Sequence, residues 1–374
     1  MKSSTIQRVI AISAIGLALP LGIYGFRSLF HAGAGRAGNA ASSSSQSPPL
    51  PRPEITLRSG DSTAINNVLH QFPTQGGTLI LGKATFAIHD PIVIDRDDVE
   101  LRGSGSDTIL RLSDHSACPV IVIGSTLTPT PHIVTRVTLR RLTIDGNRHK
   151  QDPECWGGIC DTGGVTFIRN NALTIRGASH ITIENLLTRN ARSGGVVLEK
   201  NCRHISIDNL ESTDNHFDGL ACYETEESTF NRLHLHHNSA AGISLDLNFH
   251  HNTFKSADLH HNGSQGVFMR QSSHNQFIKF KIHDNGNQGI FIAQADNDPA
   301  TAATHNIFTD ISVAHNVGQG IRINDPSCTD NMVRNSQIKD NPAGNISLAL
   351  PDQLSGLGVT DDKPPGLEET AAPP

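Results

Sequence analysis

Residues 242–265, GISLDLNFHHNTFKSADLHHNGSQ, make one unit of a repeat that determines the fold. The unit opens with a glycine and a triplet whose first and third residues are apolar, and the next unit opens in the same way at Gly266. The opening tetrapeptides are Ala172-Leu-Thr-Ile, Gly195-Val-Val-Leu, Gly219-Leu-Ala-Cys, Gly242-Ile-Ser-Leu, Gly266-Val-Phe-Met, Gly289-Ile-Phe-Ile and Gly320-Ile-Arg-Ile. They are spaced by 23, 24, 23, 24, 23 and 31 residues, and a polar insertion at 295–303 accounts for the longer last step.

Apolar and polar residues alternate between these triplets, as in His180-Ile-Thr-Ile183. Alternation with period two is typical of strands that have one buried face. Short strands that recur every 23 or 24 residues can bury that face only by stacking on the next coil. The repeat therefore predicts an all-β fold, a single-stranded parallel β-helix of some eleven or twelve coils, on the order of 55 Å long.

Asparagines occupy two fixed places in the repeat and are predicted to form ladders in the turns. Asparagine tolerates left-handed turn conformations, and stacked asparagines hydrogen-bond along the stack. We therefore interpret both series as structural. The first comprises Asn190, Asn215, Asn238, Asn262, Asn285, Asn316 and Asn341, and the second comprises Asn252, Asn275, Asn306 and Asn331.

The first 32 residues indicate export. Lys2 and Arg8 give a positive start, and an apolar run follows them. This pattern predicts that 1–32 is either a signal peptide or a signal anchor that holds the protein at a membrane. The expected location is therefore periplasmic, secreted or anchored outside the cytoplasm.

The remaining boundaries follow from composition. Residues 33–54 are a Ser/Pro-rich linker, the β-helix is expected over 55–350, and 351–374 is predicted to be a disordered tail. Because the end of a solenoid core needs a cover, the amphipathic stretch from Asp61 to Phe72 is predicted to be an N-terminal capping helix.

Charge and cysteine content limit the partners and metal sites that can be expected. The chain has 30 basic and 36 acidic residues without a basic run, so nucleic acid is not an expected partner. Its 6 cysteines are scattered, although Cys155 and Cys160 are close enough to form a disulfide in an oxidising compartment. A zinc site at that pair would lack a second pair of ligands. We expect a single folded domain, most simply a monomer.

The residue after each triplet points outward, so stacking places these residues in one column. We use the name polar column for its five members Arg176, Glu199, Tyr223, Asp246 and Arg270. Lys200, Glu224 and Gln271 follow three of these residues, and Trp156 lies on a loop that is expected to overhang the column. Two interpretations stay open: charges that pair between coils, each worth a fraction of a kcal/mol when exposed, or a functional groove.

The start of the repeat resembles the right-handed β-helix families of the pectate-lyase-like kind. The resemblance rests on the predicted helix, Gly76-Gly-Thr-Leu-Ile-Leu81, Leu101-Arg-Gly-Ser-Gly105 and Leu142-Thr-Ile-Asp-Gly-Asn147, and it covers about residues 56 to 348. It implies a right-handed β-helix. Because such folds host lyases, hydrolases, epimerases and binding proteins, it does not give the reaction.

A closer similarity is to the catalytic modules of mannuronan C5-epimerases. Their motif Tyr-Gly-Phe-Asp-Pro-His-Glu corresponds to Asp218-Gly-Leu-Ala-Cys-Tyr-Glu224, and their Asp-Gly-Phe-Val-Ala-Asp to Ala241-Gly-Ile-Ser-Leu-Asp246. Glu224 and Asp246 match, whereas the family's tyrosine, aspartate and histidine are replaced by Asp218, Ala221 and Tyr223. The similarity implies an acidic, uronate-containing polysaccharide as substrate, acted on by an epimerase or lyase.

Abstraction of the proton at C5 of a uronate needs cations at the carboxylate, a base and a proton donor. Tyr223, Asp246, Glu224 and Arg270 are the predicted catalytic residues, and the flanking cations are expected to lower the pKa of Tyr223 toward neutrality so that it acts as base or acid. The predicted substrate-binding residues are Arg176, Glu199, Lys200, Gln271 and Trp156.

Two other functions stay open. Glu199 and Asp246 lie two coils apart, on the order of 9.6 Å between backbones, within reach of an inverting glycoside hydrolase of the polygalacturonase-like kind. The Gly-His-Gly signature and paired aspartates of that kind are absent. A non-catalytic rod that binds polysaccharide is the third alternative, although few aromatic residues are available for stacking on sugars.

No residue is assigned as a metal ligand. His236, His260 and His283 are predicted to stack, and a transition-metal site is the alternative, although no carboxylate is expected to join that column. Calcium is the one cofactor left open, because exported polyuronate enzymes often use it, and Asp296-Asn-Asp298 is the nearest approach to a calcium loop.

Overall fold

The structure is a computed structural model that describes residues 51–152 and 168–356. The predicted signal segment, Trp156, and the predicted pairing of Cys155 with Cys160 lie outside the described residues. None of the described helices is long and apolar enough to cross a membrane.

The front sheet of the β-helix stacks one short strand per coil. Leu220 pairs with Ile243 and Cys222 with Leu245, all in parallel register, and the same step repeats along the chain. The predicted all-β parallel β-helix is therefore confirmed. The ten strands of this sheet among the described residues are Ile92–Ile94, Ile121–Gly124, Leu173–Arg176, Val196–Glu199, Leu220–Tyr223, Ile243–Asp246, Val267–Arg270, Ile290–Ala293, Ile321–Ile323 and Ile346–Leu348.

The back sheet contains the other strands of each coil. Its longest strands bend at residues such as Asn185 and Asn209, whose φ angles of 52° and 58° are left-handed. Its twenty described strands are Glu54–Leu57, Gly77–Leu81, Thr85–Ile88, Val99–Gly103, Ile109–Leu112, Val134–Thr135, Thr138–Asp145, Ala178–Arg189, Cys202–Thr213, Thr225–Glu226, Thr229–His236, Phe249–His250, Thr253–His260, Ser272–Ser273, Gln276–His283, Ile307–Thr309, Ser312–Ala314, Asn331–Arg334, Gln337–Lys339 and Leu354–Ser355.

The helix Ser62–Gln71 packs on the first coil, as predicted. Asp61 is its N-cap and accepts a hydrogen bond from the Ala64 N–H at 2.9 Å. The Ser62 hydroxyl instead accepts one from the His89 N–H at 3.1 Å, which fastens the helix to the coil. Ile65 and Leu69 are buried, so the apolar face of the helix covers the end of the core.

Like side chains stack through the core. The rings of Phe230, Phe254, Phe277 and Phe308 lie 4.4, 5.1 and 4.7 Å apart between successive centroids. Such offset stacks add to the stabilisation that burial alone provides. The sequence repeat thus places these four phenylalanines on successive coils, where their rings form a column inside the β-helix.

Both predicted asparagine ladders are present and buried. From Asn215 to Asn341, each side-chain amide donates to the Oδ1 of the next asparagine at 2.8–3.0 Å. The prediction for Asn190 was wrong by one position. It adopts a left-handed conformation, and the backbone of Ala191 takes its place by donating to Asn215 Oδ1 at 3.0 Å.

The glycine that opens each unit lies against this ladder. A Cβ atom at Gly289 would lie 2.7 Å from the Gly320 oxygen and 2.9 Å from Asn316 Nδ2. We expect Gly289→Ala to lower the free energy of unfolding by about 1–3 kcal/mol, measured as a lower melting temperature. Gly82→Ala is the matched control, because its Cβ would meet nothing nearer than 3.2 Å. Equal melting temperatures for the two variants would contradict this prediction.

Candidate functional site

The front sheet brings the polar column together. Arg176 pairs in register with Glu199, and Tyr223 pairs with Asp246. Arg270 follows on the next coil and pairs with Ala293. The five side chains therefore occupy consecutive coils, spaced about 4.8 Å apart.

Arg176 is occupied by the protein itself. It is 2 % exposed, and its guanidinium donates to the Ser125 carbonyl at 3.1 Å and to the Thr128 hydroxyl at 2.6 Å. Its Nε lies 2.6 Å from Glu199 Oε1. In this arrangement Arg176 holds a loop on the first coils of the column, and its burial leaves little of it accessible for the substrate contact that the sequence predicts.

Asp246 and Arg270 form an ion pair at the C-terminal end of the polar column. Arg270 Nε lies 3.0 Å from Asp246 Oδ2, and Asp246 is buried. Burial raises the pKa of Asp246 above its ordinary value, although Arg270 opposes the shift. A carboxylate with a raised pKa is a stronger base than an ordinary aspartate, and Arg270 fixes its orientation.

The flanking residues differ in availability. Lys200 Nζ lies 3.7 Å from Glu224 Oε1, and the Lys200 side chain is 42 % exposed, so this cation is accessible to a ligand. The Gln271 side-chain amide donates to Asn248 Oδ1 at 2.9 Å, one coil earlier. Burial raises the pKa of Glu199, with Arg176 and Lys200 acting in the opposite direction. Arg176, Lys200 and Arg270 thus each face a carboxylate of the protein.

The predicted lowering of the Tyr223 pKa was wrong. Tyr223 is half-buried, and the pKa of its phenol is raised, first by burial and then by the negative charges of Asp218 and Asp246. The sequence showed the flanking cations but not that each one pairs with a carboxylate. Tyr223 is therefore neutral at ordinary pH and can donate a proton or a hydrogen bond rather than accept a proton.

Asp218 is a candidate that the sequence reasoning treated only as a departure from the family motif. It is 3 % exposed, its Oδ1 accepts from the Ala241 N–H at 2.8 Å, and its Oδ2 has no hydrogen-bond partner among the described residues. Burial raises the pKa of Asp218 to about 7. A buried carboxyl group with a perturbed pKa beside a cleft is typical of functional sites.

Asp218→Asn should make stability less dependent on pH. An unfolded aspartate titrates near about 3.9, so the raised folded pKa gives stability that is full at low pH and is lost as pH rises through about 7. Between about pH 4 and about pH 8 the variant should gain up to about 4 kcal/mol relative to the parent, measured as a growing difference in melting temperature. The exposed Asp352→Asn is the control, and parallel melting curves for Asp218→Asn and the parent at all pH values would refute the shift.

Two half-buried phenylalanines beside the column form a platform. The rings of Phe268 and Phe291 stack with centroids 5.6 Å apart and an interplanar angle of 12°. The Arg270 guanidinium lies 5.2 Å from the Phe268 ring centroid. The composition indicates few aromatic residues for sugar stacking, but the repeat places these two on adjacent coils of the same face. An apolar floor beside convergent polar groups is typical of ligand sites.

The candidate metal ligands Asp296 and Asp298 and the histidine column have different surroundings in the structure. Asp298 Oδ1 accepts from the Ala300 N–H at 2.9 Å, so it caps the short helix Pro299–Thr301. Asp296 contributes to the raised pKa of Asp246. The expectation that no carboxylate joins the histidine column was wrong, because Asp258 Oδ1 lies 3.1 Å from His283 Nε2. Asp258 stands two residues before His260, the register partner of His283, so its side chain points to the same side of the sheet.

Comparison with known proteins identifies the fold. A family model of the right-handed beta helix region matches residues 171–312. The A-modules of the mannuronan C-5 epimerases AlgE4 and AlgE6 of Azotobacter vinelandii superpose with TM-scores of 0.62 and 0.61 at 18% and 17% identity. These alignments cover 76% and 78% of this chain and 75% and 76% of those chains.

A viral protein has the same fold. ORF18 of Geobacillus virus E2 superposes with a TM-score of 0.55 at 14% identity, over 78% of this chain and 55% of that chain. No curated protein sequence matches the chain. At these identities the structural similarity establishes a right-handed parallel β-helix.

Proposed function

We propose that this protein is exported and acts on a uronate-containing polysaccharide by abstracting the C5 proton, as an epimerase or a lyase. The observation that carries the proposal is the register pair of Tyr223 and Asp246, a neutral phenol opposite a carboxylate with a raised pKa, beside Arg270. Acid and base on adjacent strands of a rigid sheet are positioned for two proton transfers to one sugar ring.

The roles follow from the pKa directions. Asp246 takes the proton from C5, and the electron pair of the broken C–H bond moves into the uronate carboxylate. Lys200, the accessible cation, and Arg270 stabilise the charge that builds up there. Tyr223 then donates its proton, either to the opposite face of C5 to invert the centre or to the leaving oxygen at C4 to give an unsaturated end.

The platform of Phe268 and Phe291 supports the carbohydrate class of ligand. Their half-buried rings leave an apolar surface for the C–H face of a sugar next to the reacting residues. Two of the structurally similar proteins are named mannuronan C-5 epimerases, which agrees with the motif similarity around Glu224 and Asp246.

A glycoside hydrolase is the second candidate. Its support is that the cations of the polar column already face carboxylates, which weakens the attraction for a polyanion, whereas buried carboxyl groups with raised pKa values suit a general acid. Glu199 and Asp246 would be the pair, two coils apart.

Product analysis separates these functions. The purified full chain is incubated with a panel of polyuronates and neutral glycans, and unsaturated ends are measured by ultraviolet absorbance and reducing ends by a chemical assay. Unsaturated ends on a polyuronate indicate a lyase, and changed uronate composition without chain cleavage indicates an epimerase. Reducing ends without unsaturation would establish the hydrolase instead, and no product from any polymer would contradict a catalytic role.

A further inference from the structure

The back sheet carries a second cluster of titratable side chains, on a different sheet from the polar column. Glu211 and His234 are register partners on the strands Cys202–Thr213 and Thr229–His236. His236 lies two residues after His234 and therefore points to the same side. One ligand atom from each of the three lies within 4.8 Å of the other two.

The next coil adds a third imidazole. His260 Nε2 lies 2.9 Å from His234 Nε2, within hydrogen-bond distance. The ring of His260 stacks on that of His236 with centroids 5.0 Å apart and an interplanar angle of 3°. Three consecutive coils therefore contribute to one cluster.

One nitrogen of this cluster is free for a ligand within the part of the chain that the structure describes. His236 Nδ1 contacts the Thr213 hydroxyl at 3.1 Å, which leaves Nε2 for a ligand. That Nε2 is buried, has no hydrogen-bond partner among the described residues, and lies 3.5 Å from Glu211 Oε1.

We infer that Glu211, His234 and His236 bind one divalent transition-metal ion of the zinc class, with His260 in contact with His234 beside the site. Imidazole nitrogens with one carboxylate are the donor set that Zn²⁺ and its neighbours prefer. Ligands at about 2.1 Å from a tetrahedral ion lie roughly 3.4 Å apart, close to the separation of His236 Nε2 and Glu211 Oε1. The bound ion links two neighbouring coils through their side chains.

The inference predicts stoichiometric zinc binding. The full chain, freed of metal with a chelator, is titrated with ZnCl₂ in competition with a chromophoric zinc indicator near pH 7. We expect one equivalent per chain and, at a zinc concentration about a hundred times the dissociation constant, a melting temperature higher by about 4 °C. The double variant H234A/H236A should lose both effects.

The matched control is H251A/H274A, which removes a stacked pair of histidines in turns between back-sheet strands, with centroids 5.0 Å apart, and should keep the bound equivalent. Glu211→Ala is a second test that leaves all the histidines in place. It should lower the affinity while the chelator-treated protein melts as the parent does. No zinc bound by the parent, or equal binding by the parent and H234A/H236A, would overturn the inference.

Discussion

Tyr223→Phe is expected to abolish turnover while the protein stays folded. The substitution removes only the phenolic hydroxyl, which the proposed reaction uses to deliver a proton. Loss of a positioned acid lowers the rate by about a hundredfold to ten-thousandfold. The raised pKa of Tyr223 keeps the hydroxyl protonated, and therefore a donor, at ordinary pH. No other side chain of the polar column occupies the same coil and could replace it.

The fold should be spared because this hydroxyl makes no hydrogen bond within the part of the chain that the structure describes. The hydrogen bond that Tyr223 accepts from the Thr225 hydroxyl, at 2.9 Å, goes to its backbone oxygen. Melting temperature and circular dichroism should therefore match the parent. The control is Asn324→Ala, in the same outward column four coils further on, about 19 Å away, and it should leave the rate unchanged. A fully active Tyr223→Phe would remove this residue from the mechanism.

Asn262→Ala is expected to cause the largest loss of stability. Asn262 Oδ1 accepts from the backbone and side chain of Asn238 at 3.2 and 3.0 Å, and its amide donates to the Leu235 oxygen and to Asn285 Oδ1 at 3.0 and 2.9 Å. All of these groups are buried, and truncation removes four hydrogen bonds, each with a net contribution of about 0.5–1.5 kcal/mol. A total of about 3 kcal/mol corresponds to a melting temperature lower by about 5 °C for a β-helix of this size.

Asn324→Ala serves again as the control, because Asn324 is exposed and its loss leaves no buried group unpaired. Calorimetry of both variants tests the ladder directly. If Asn262→Ala melted within about 1 °C of Asn324→Ala, the buried ladder would not contribute the stability that hydrogen-bond energetics assign to it.

The fold could be predicted because its information is local and repeated. A constant spacing of 23 or 24 residues, with one apolar face per strand, permits only stacking of coil on coil. The error at Asn190 could have been avoided from the spacing alone. Asn190 stands five residues before Gly195, whereas Asn215 stands four residues before Gly219 and the following ladder members keep that offset.

The site could be predicted only in part, because electrostatics depend on contacts between distant segments. The period placed Tyr223, Asp246 and Arg270 on adjacent coils. It did not show that the loop containing Ser125 and Thr128, some 48–51 residues away in sequence, occupies Arg176. The burial that raises the pKa of Tyr223 was likewise invisible in the sequence.

Phe268 and Phe291 could have been recognised earlier. They stand at the same position of two consecutive units, 23 residues apart, so the repeat alone places one ring above the other on the outer face. The low aromatic content of the whole chain does not reveal this stacked pair. In a solenoid, position within the repeat is a better guide to a binding surface than composition.

Hydrogen exchange at C5 tests the central claim most directly. Polyuronates are incubated with the full chain in heavy water, and proton NMR follows the C5 signal of the sugar. The proposed mechanism predicts that the C5 proton signal is lost with the parent, either because deuterium replaces the proton in an epimerised product or because unsaturated ends form. Tyr223→Phe should give neither product. A polyuronate that binds to the protein but keeps its C5 protons would contradict proton abstraction by this face.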